Sequence, residues 1–108
     1  MRSHAIAWLL LAASIAAEVA GTIALRHADG LTRLLPSLAV GALYALSIWL
    51  MSLSVRQLEV GLAYAVWAGV GTALTAVVGI VWFAEAAHAA RLAGIACIVV
   101  GVVCLNLS

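Results

Sequence analysis

Four long apolar stretches, separated by short polar segments, make up almost all of this 108-residue sequence. Each stretch approaches or exceeds the roughly 20 apolar residues that a helix needs to cross a bilayer. The predicted helices cover about residues 5–25, 34–55, 60–84 and 89–107. Because the connecting segments are short, consecutive helices are expected to lie antiparallel beside each other. The pattern predicts an all-α membrane protein with one four-helix transmembrane domain over residues 1–108.

The composition supports a membrane protein and excludes several other classes. Hydrophobic residues make up 68% of the chain and charged residues only 8%, whereas a soluble domain carries roughly 25% charged residues. The net charge of +1 leaves no basic patch for nucleic acid, and two cysteines do not make a disulfide scaffold. No group of residues suits metal binding or catalysis. We therefore expect a multi-pass protein of the cell membrane that contacts lipid, is not an enzyme and carries no cofactor or metal.

The arginines indicate how the chain is oriented in the membrane. The predicted helices place Arg2 and Arg56 on one side, and Arg26, Arg33 and Arg91 on the other. A fixed orientation needs a clear excess of Lys and Arg on the cytoplasmic side, and a difference of one residue does not supply it. We expect a chain that inserts in either orientation, so that identical chains can pair antiparallel.

Glu18 is a charged residue inside the first apolar stretch, and its position needs a physical reason. A carboxylate at mid-span costs about 2.5–3.5 kcal/mol and normally faces a bundle interior or a wet cavity. Ser14, Glu18 and Thr22 recur every four residues and form a polar stripe, while Gly21 allows another helix or a ligand to approach closely. Glu18 is either a neutral group that hydrogen bonds a neighbouring helix or a site for protons and cations. Four short helices enclose little space, so a second copy is expected, and two Glu18 carboxylates would titrate as a coupled pair.

Aromatic residues in the second and third spans suit an organic cation. Tyr64 and Trp67 lie on one helical stripe of the third span, and Tyr44 lies within the second. An aromatic face attracts a desolvated cation by about 2 kcal/mol at best. Ordinary packing is the alternative, but the presence of Glu18 favours a substrate pocket that contains all three aromatic residues.

Pairs of glycines mark the third and fourth spans. Gly69 and Gly71 lie in the middle of the third span, where they allow either close packing or a bend between two half-helices. Gly94 and Gly101 lie seven residues apart in the fourth span. This spacing gives one face of that helix a smooth seam suited to helix–helix association.

Four segments of the chain resemble the small multidrug resistance family. They are AEVAGT at 17–22, DGLTRLLPS at 29–37, GLAYAVWAGVG at 61–71 and GVVCLNL at 101–107. The resemblance covers essentially the whole chain in order. It implies an antiparallel dimer of four-helix protomers that exchanges protons for cationic compounds.

The resemblance also implies a role for each matching residue. Glu18 corresponds to the shared proton and substrate site, and Tyr64, Trp67 and Tyr44 correspond to pocket residues. Ser14, Gly21 and Thr22 correspond to the wall of that pocket. Gly69 and Gly71 correspond to the helix bend, and Gly94 and Gly101 to the dimer seam.

Position 21 distinguishes two branches of this family. The guanidinium-exporting branch typically carries Trp there, so Gly21 resembles the quaternary-ammonium, multidrug branch. Arg26 stands where the family usually has Lys, and Ile48 where multidrug members often have an aromatic residue. The expected function is a proton-coupled antiporter that exports lipophilic or quaternary ammonium cations. The alternatives are a guanidinium-type exporter, one half of an obligate heteromeric pair, or a non-transport subunit that uses its carboxylate for assembly or in a proton-driven rotor ring.

Overall fold

In a computed structural model, which describes residues 2–107, the chain forms four helices. They are α1 (Arg2–His27), α2 (Leu34–Ser54), α3 (Val60–Trp82) and α4 (Ala89–Leu107). Each contains a stretch long and apolar enough to cross a membrane, and the described residues include no strand. The prediction of an all-α membrane protein with four spans is therefore confirmed. The side chain of Arg2, which entered the orientation argument, lies outside the described part.

Residues with a left-handed backbone end two of the helices. After α1, Asp29, Gly30 and Leu31 have φ angles of 49°, 70° and 65°, and this conformation cannot continue a right-handed helix. After α3, Ala84 has a φ angle of 54°. For that reason α3 ends at Trp82, short of the predicted limit at residue 84.

The apolar core lies mainly between α1 and α3. Ala7, Leu11, Ile15 and Val19 recur every four residues along α1 and are all buried, as expected for one face of a helix. They cluster with three buried residues from α3 and the segment before it: Leu58, Ala63 and Val66. Another face of α1 packs extensively against α2. α1 is therefore the central helix of the chain.

α4 is the least covered helix of the four. It packs against α3, and none of its described residues is buried. The chain measures 43 × 35 × 18 Å along its principal axes, so its four helices form a flat arrangement. Apolar side chains of α4 remain exposed, among them Leu92, Val99 and Val100.

Candidate functional site

Glu18 lies at the wall of a cavity between α1 and α3. The side chain is partly buried, and the cavity has a volume of about 450 Å³. Gly71 on α3 faces the carboxylate, since a Cβ atom at this position would lie 3.1 Å from Glu18 Oε2. The missing side chain of Gly71 therefore makes room for the Glu18 carboxylate. The cavity is lined by Glu18, Thr22, Trp67, Ala68, Gly71, Thr72, Thr75, Ala76 and Glu85.

A series of hydroxyl groups connects the carboxylate to α2. Thr22 Oγ1 lies 3.1 Å from Glu18 Oε1 and 2.8 Å from the hydroxyl oxygen of Tyr44. Because the Thr22 hydroxyl has a single hydrogen, donating it to Glu18 leaves Tyr44 as the donor to Thr22. The same hydrogen can instead go to the backbone oxygen of Glu18 at 3.0 Å. The carboxylate thus has one switchable donor on its own helix, positioned by a tyrosine of the next helix.

Gly21 permits this arrangement. A Cβ atom at position 21 would lie 2.7 Å from both Cδ1 and Cε1 of Tyr44, and 3.3 Å from Cβ of Leu43. Contacts this short require the ring to move. The close approach expected at Gly21 is therefore made by a residue of α2, namely Tyr44.

The aromatic residues are not all in the same place. Tyr44 and Trp67 line a second cavity of about 250 Å³, together with Glu18, Ser47 and Ile48. Tyr64 contacts Trp67, with ring centroids 5.8 Å apart, but it is 59% exposed and lines neither cavity. Trp67 Nε1 is buried and has no hydrogen-bond partner within residues 2–107. Leaving a buried donor without a partner costs about 1–3 kcal/mol. The Trp67 N–H group is therefore available to donate a hydrogen bond to a ligand.

Ser14 lines neither of these cavities, although it bonds to Ser47, which lines the second. Its side chain is fully buried and its hydroxyl donates to the backbone oxygen of Ser47 at 2.7 Å, while Ser47 Oγ donates to the backbone oxygen of Ser14 at 2.8 Å. The predicted polar stripe of α1 thus contacts α2 at two positions. Ser14 joins α1 to α2, and Thr22 contacts both Glu18 and α2.

The two glycine pairs predicted for the helix bend on α3 and the seam on α4 occupy different surroundings. A Cβ atom at Gly69 would lie 2.7 Å from Cγ2 of Val102 on α4, whereas Gly71 faces Glu18. Both glycines lie within one uninterrupted helix. Nothing lies within 4 Å of a Cβ atom built at Gly94 or at Gly101, and both are exposed. The seam on α4 is therefore uncovered in the protomer.

Three polar residues of the cavity wall were missed by sequence reasoning. Thr72 and Thr75 add hydroxyl groups to the wall opposite Glu18, and Glu85 adds a second carboxylate. Gly71 and Thr75 follow Trp67 at intervals of four residues, so helical periodicity was the signal that could have revealed Thr75. Glu85 had no such signal, because it lies after the end of α3. Among the described residues, no group of His, Cys, Asp and Glu is suited to hold a metal ion.

Comparison with known proteins places the chain in a family. Residues 6–98 match the sequence profile described as Small Multidrug Resistance protein. The chain is 41% identical to multidrug resistance protein EbrA of Bacillus licheniformis, over 94% of this chain and 96% of EbrA. It is 42% identical to quaternary ammonium compound-resistance protein QacF of Klebsiella aerogenes, over 93% of this chain and 91% of QacF. It is also 41% identical to a guanidinium exporter of Citrobacter freundii, over 94% of this chain and 96% of the exporter. With this similarity along nearly its whole length, the chain belongs to the small multidrug resistance family of membrane proteins.

Proposed function

We propose that this protein is a proton-coupled antiporter that exports lipophilic and quaternary ammonium cations across the cell membrane. The observation that carries the proposal is the position of Glu18, a mid-span carboxylate on the wall of two cavities that also contain Trp67. A carboxylate beside an indole face suits an organic cation, because the charge and the ring both attract it. The relatives named for multidrug and quaternary ammonium resistance support the same class of substrate.

The exchange follows from the competition of two ligands for one carboxylate. When Glu18 holds a proton it is neutral and offers no charge to a cation. When it releases the proton, the Thr22 hydroxyl can donate to Oε1, and a cation can bind against the negative charge and the Trp67 ring. Because either ligand excludes the other, binding of the cation on one side of the membrane releases a proton there.

A second copy of the chain completes the pathway in this proposal. The protomer is 18 Å thick along its shortest axis, and its α4 has no buried residue among those described. A partner that covers the α4 seam at Gly94 and Gly101 would add a second Glu18. The near balance of arginines between the two sides supports an antiparallel homodimer.

A guanidinium-type exporter is the second candidate, since the Citrobacter freundii relative bears that name. The contact between Gly21 and Tyr44 favours the broader substrate class. A bulky residue at position 21 would have to displace the Tyr44 ring, because even a Cβ atom built at Gly21 lies 2.7 Å from that ring. Comparing uptake of guanidinium and tetraphenylphosphonium by the same proteoliposomes distinguishes these candidates, and uptake by this chain expressed alone excludes an obligate heteromeric pair.

Proton release on cation binding tests the proposal directly. Weakly buffered protein in detergent should acidify the solution when tetraphenylphosphonium is added, and Glu18→Gln should abolish the release. Glu59→Gln is the matched control, because Glu59 is an exposed glutamate that precedes α3 and should leave the release unchanged. Unaltered proton release in Glu18→Gln would refute the assignment of Glu18.

A further inference from the structure

Glu85 gives the cavity of Glu18 a second carboxylate, close to one end of the membrane-spanning helices. The cavity of about 450 Å³ is lined by both glutamates. An adjoining cavity of about 280 Å³ shares Thr22, Thr75 and Glu85 with it and extends to Arg26 and Phe83. The two adjoining cavities therefore follow α1 from Glu18 to Arg26, a path of about 12 Å for eight residues at about 1.5 Å per residue, and polar side chains form part of both walls.

The backbone after α3 turns Glu85 towards this path. Gly79 O accepts hydrogen bonds from the N–H groups of Phe83 at 3.1 Å and of Glu85 at 3.0 Å. The left-handed conformation of Ala84 allows the chain to reverse between them. Gly79 has no Cβ atom, and one built there would overlap the Glu85 carboxyl group. Glu85 is consequently folded back over the last turn of α3 and lies at the cavity wall.

A cationic group of the chain itself already occupies the space beside Glu85. Arg26 Nη1 lies 3.9 Å from Glu85 Oε2, and the Arg26 guanidinium carbon lies 5.0 Å from the centre of the Phe83 ring. The Arg26 side chain is 62% exposed and that of Glu85 is 45% exposed. An ion pair this exposed and this long contributes little to stability, so another cation can displace Arg26 at small cost.

We propose that Glu85 and Phe83 form an outer subsite, which takes the organic cation on its way to Glu18 and which Arg26 occupies when substrate is absent. The subsite repeats the combination of carboxylate and aromatic ring found at Glu18 and Trp67. It rests on the proposed transport function and adds a first binding step to it. Its charge raises the concentration of cation at the end of the path, while Glu18 retains the exchange with the proton.

The test is cation uptake by proteoliposomes driven by a pH gradient, measured against tetraphenylphosphonium concentration at low ionic strength. Glu85→Gln should raise the half-saturating concentration by about two- to fivefold, the range that exposed ion pairs provide, and leave the maximal rate unchanged. Arg26→Gln should lower the half-saturating concentration, because it removes the competing cation. Both effects should shrink at about 0.5 M salt, where charges are screened within a few ångströms.

Glu59→Gln is the matched control, since it removes one exposed glutamate that lines neither cavity. An equal effect of Glu59→Gln would overturn the subsite in favour of general surface charge. So would an unchanged half-saturating concentration in Glu85→Gln, or a raised one in Arg26→Gln. Failure of the proposed function is a separate result, because the unsubstituted protein would then show no uptake that depends on Glu18.

Discussion

Adding a single methyl group at Gly21 tests how closely α1 and α2 approach beside the carboxylate. In Gly21→Ala the new Cβ atom would lie 2.7 Å from two carbon atoms of the Tyr44 ring and 3.3 Å from Leu43 Cβ. The ring must then move away from α1, and its hydroxyl is at present 2.8 Å from Thr22 Oγ1. One substitution therefore strains the packing and disturbs the hydroxyl series that ends at Glu18.

The expected magnitude follows from two opposing contributions. Overpacking a close contact costs about 1–3 kcal/mol, and replacing glycine by alanine within a helix gains about 0.5–1 kcal/mol. Gly41 on α2 isolates the second contribution, because nothing lies within 4 Å of a Cβ atom built there. The free energy of unfolding of Gly21→Ala should therefore lie about 1–3 kcal/mol below that of Gly41→Ala.

Both variants can be unfolded reversibly from mixed micelles by increasing SDS, with helix content followed by circular dichroism. In a Tyr44→Ala background the ring is gone, so Gly21→Ala should lose most of its penalty, and the double-mutant cycle should give a coupling near the full overpacking cost. Equal stabilities of Gly21→Ala and Gly41→Ala, within about 0.5 kcal/mol, would refute the close approach of Tyr44.

Two further substitutions separate binding from packing. Trp67→Ala should weaken tetraphenylphosphonium binding by up to about 2 kcal/mol, or roughly thirtyfold, as measured by titration calorimetry. Trp49→Ala is the control, because Trp49 lies on an exposed part of α2, and this variant should bind tetraphenylphosphonium with unchanged affinity. Ser14→Ala should lower the free energy of unfolding by about 0.5–1.5 kcal/mol, because it removes a buried hydrogen bond to α2, yet leave the cation affinity unchanged. A large loss of affinity in Ser14→Ala would contradict a purely structural role for this residue, which lines neither cavity. Ser52→Ala, whose hydroxyl donates to Trp49 O within α2, controls for the change of residue type.

The sequence was sufficient for the parts of the fold that the bilayer dictates. A helix must be long enough to cross the hydrocarbon layer, so four apolar stretches specify four spans whatever their packing. The period of the helix likewise places Glu18 and Thr22 on one face, and the structure joins them by a hydrogen bond of 3.1 Å. Both inferences need only the geometry of a single helix.

Contacts that depend on the rotation of one helix against another could not be predicted. Ser14 and Thr22 belong to the same predicted stripe, yet Ser14 bonds to Ser47 and Thr22 to Tyr44. Nothing in a single sequence indicates which residues of α2 face α1. The second carboxylate of the cavity was equally beyond prediction, since the position of Glu85 depends on a left-handed residue after α3.

The glycines of α3 show how one motif can serve two unrelated contacts. Gly69 and Gly71 are two residues apart, which is about 200° around a helix at about 3.6 residues per turn. They therefore face different neighbours, Val102 of α4 and the carboxylate of Glu18. Each glycine is therefore explained by a close contact within the chain. The helix bend implied by the family resemblance stays a prediction. A bend between the two glycines would move α4 relative to Glu18, because Gly69 contacts α4 and Gly71 contacts Glu18.

The hydrogen bonding of Glu18 bears on the proposed exchange. A carboxylate has about four acceptor positions, and among the described residues only Thr22 donates to it, through Oε1. Because the Thr22 hydroxyl can turn to the backbone oxygen of Glu18 instead, this one donor does not hold the carboxylate permanently. Glu18 also lines a cavity of about 450 Å³, where, in the proposed exchange, a proton and an organic cation compete for its remaining acceptor positions.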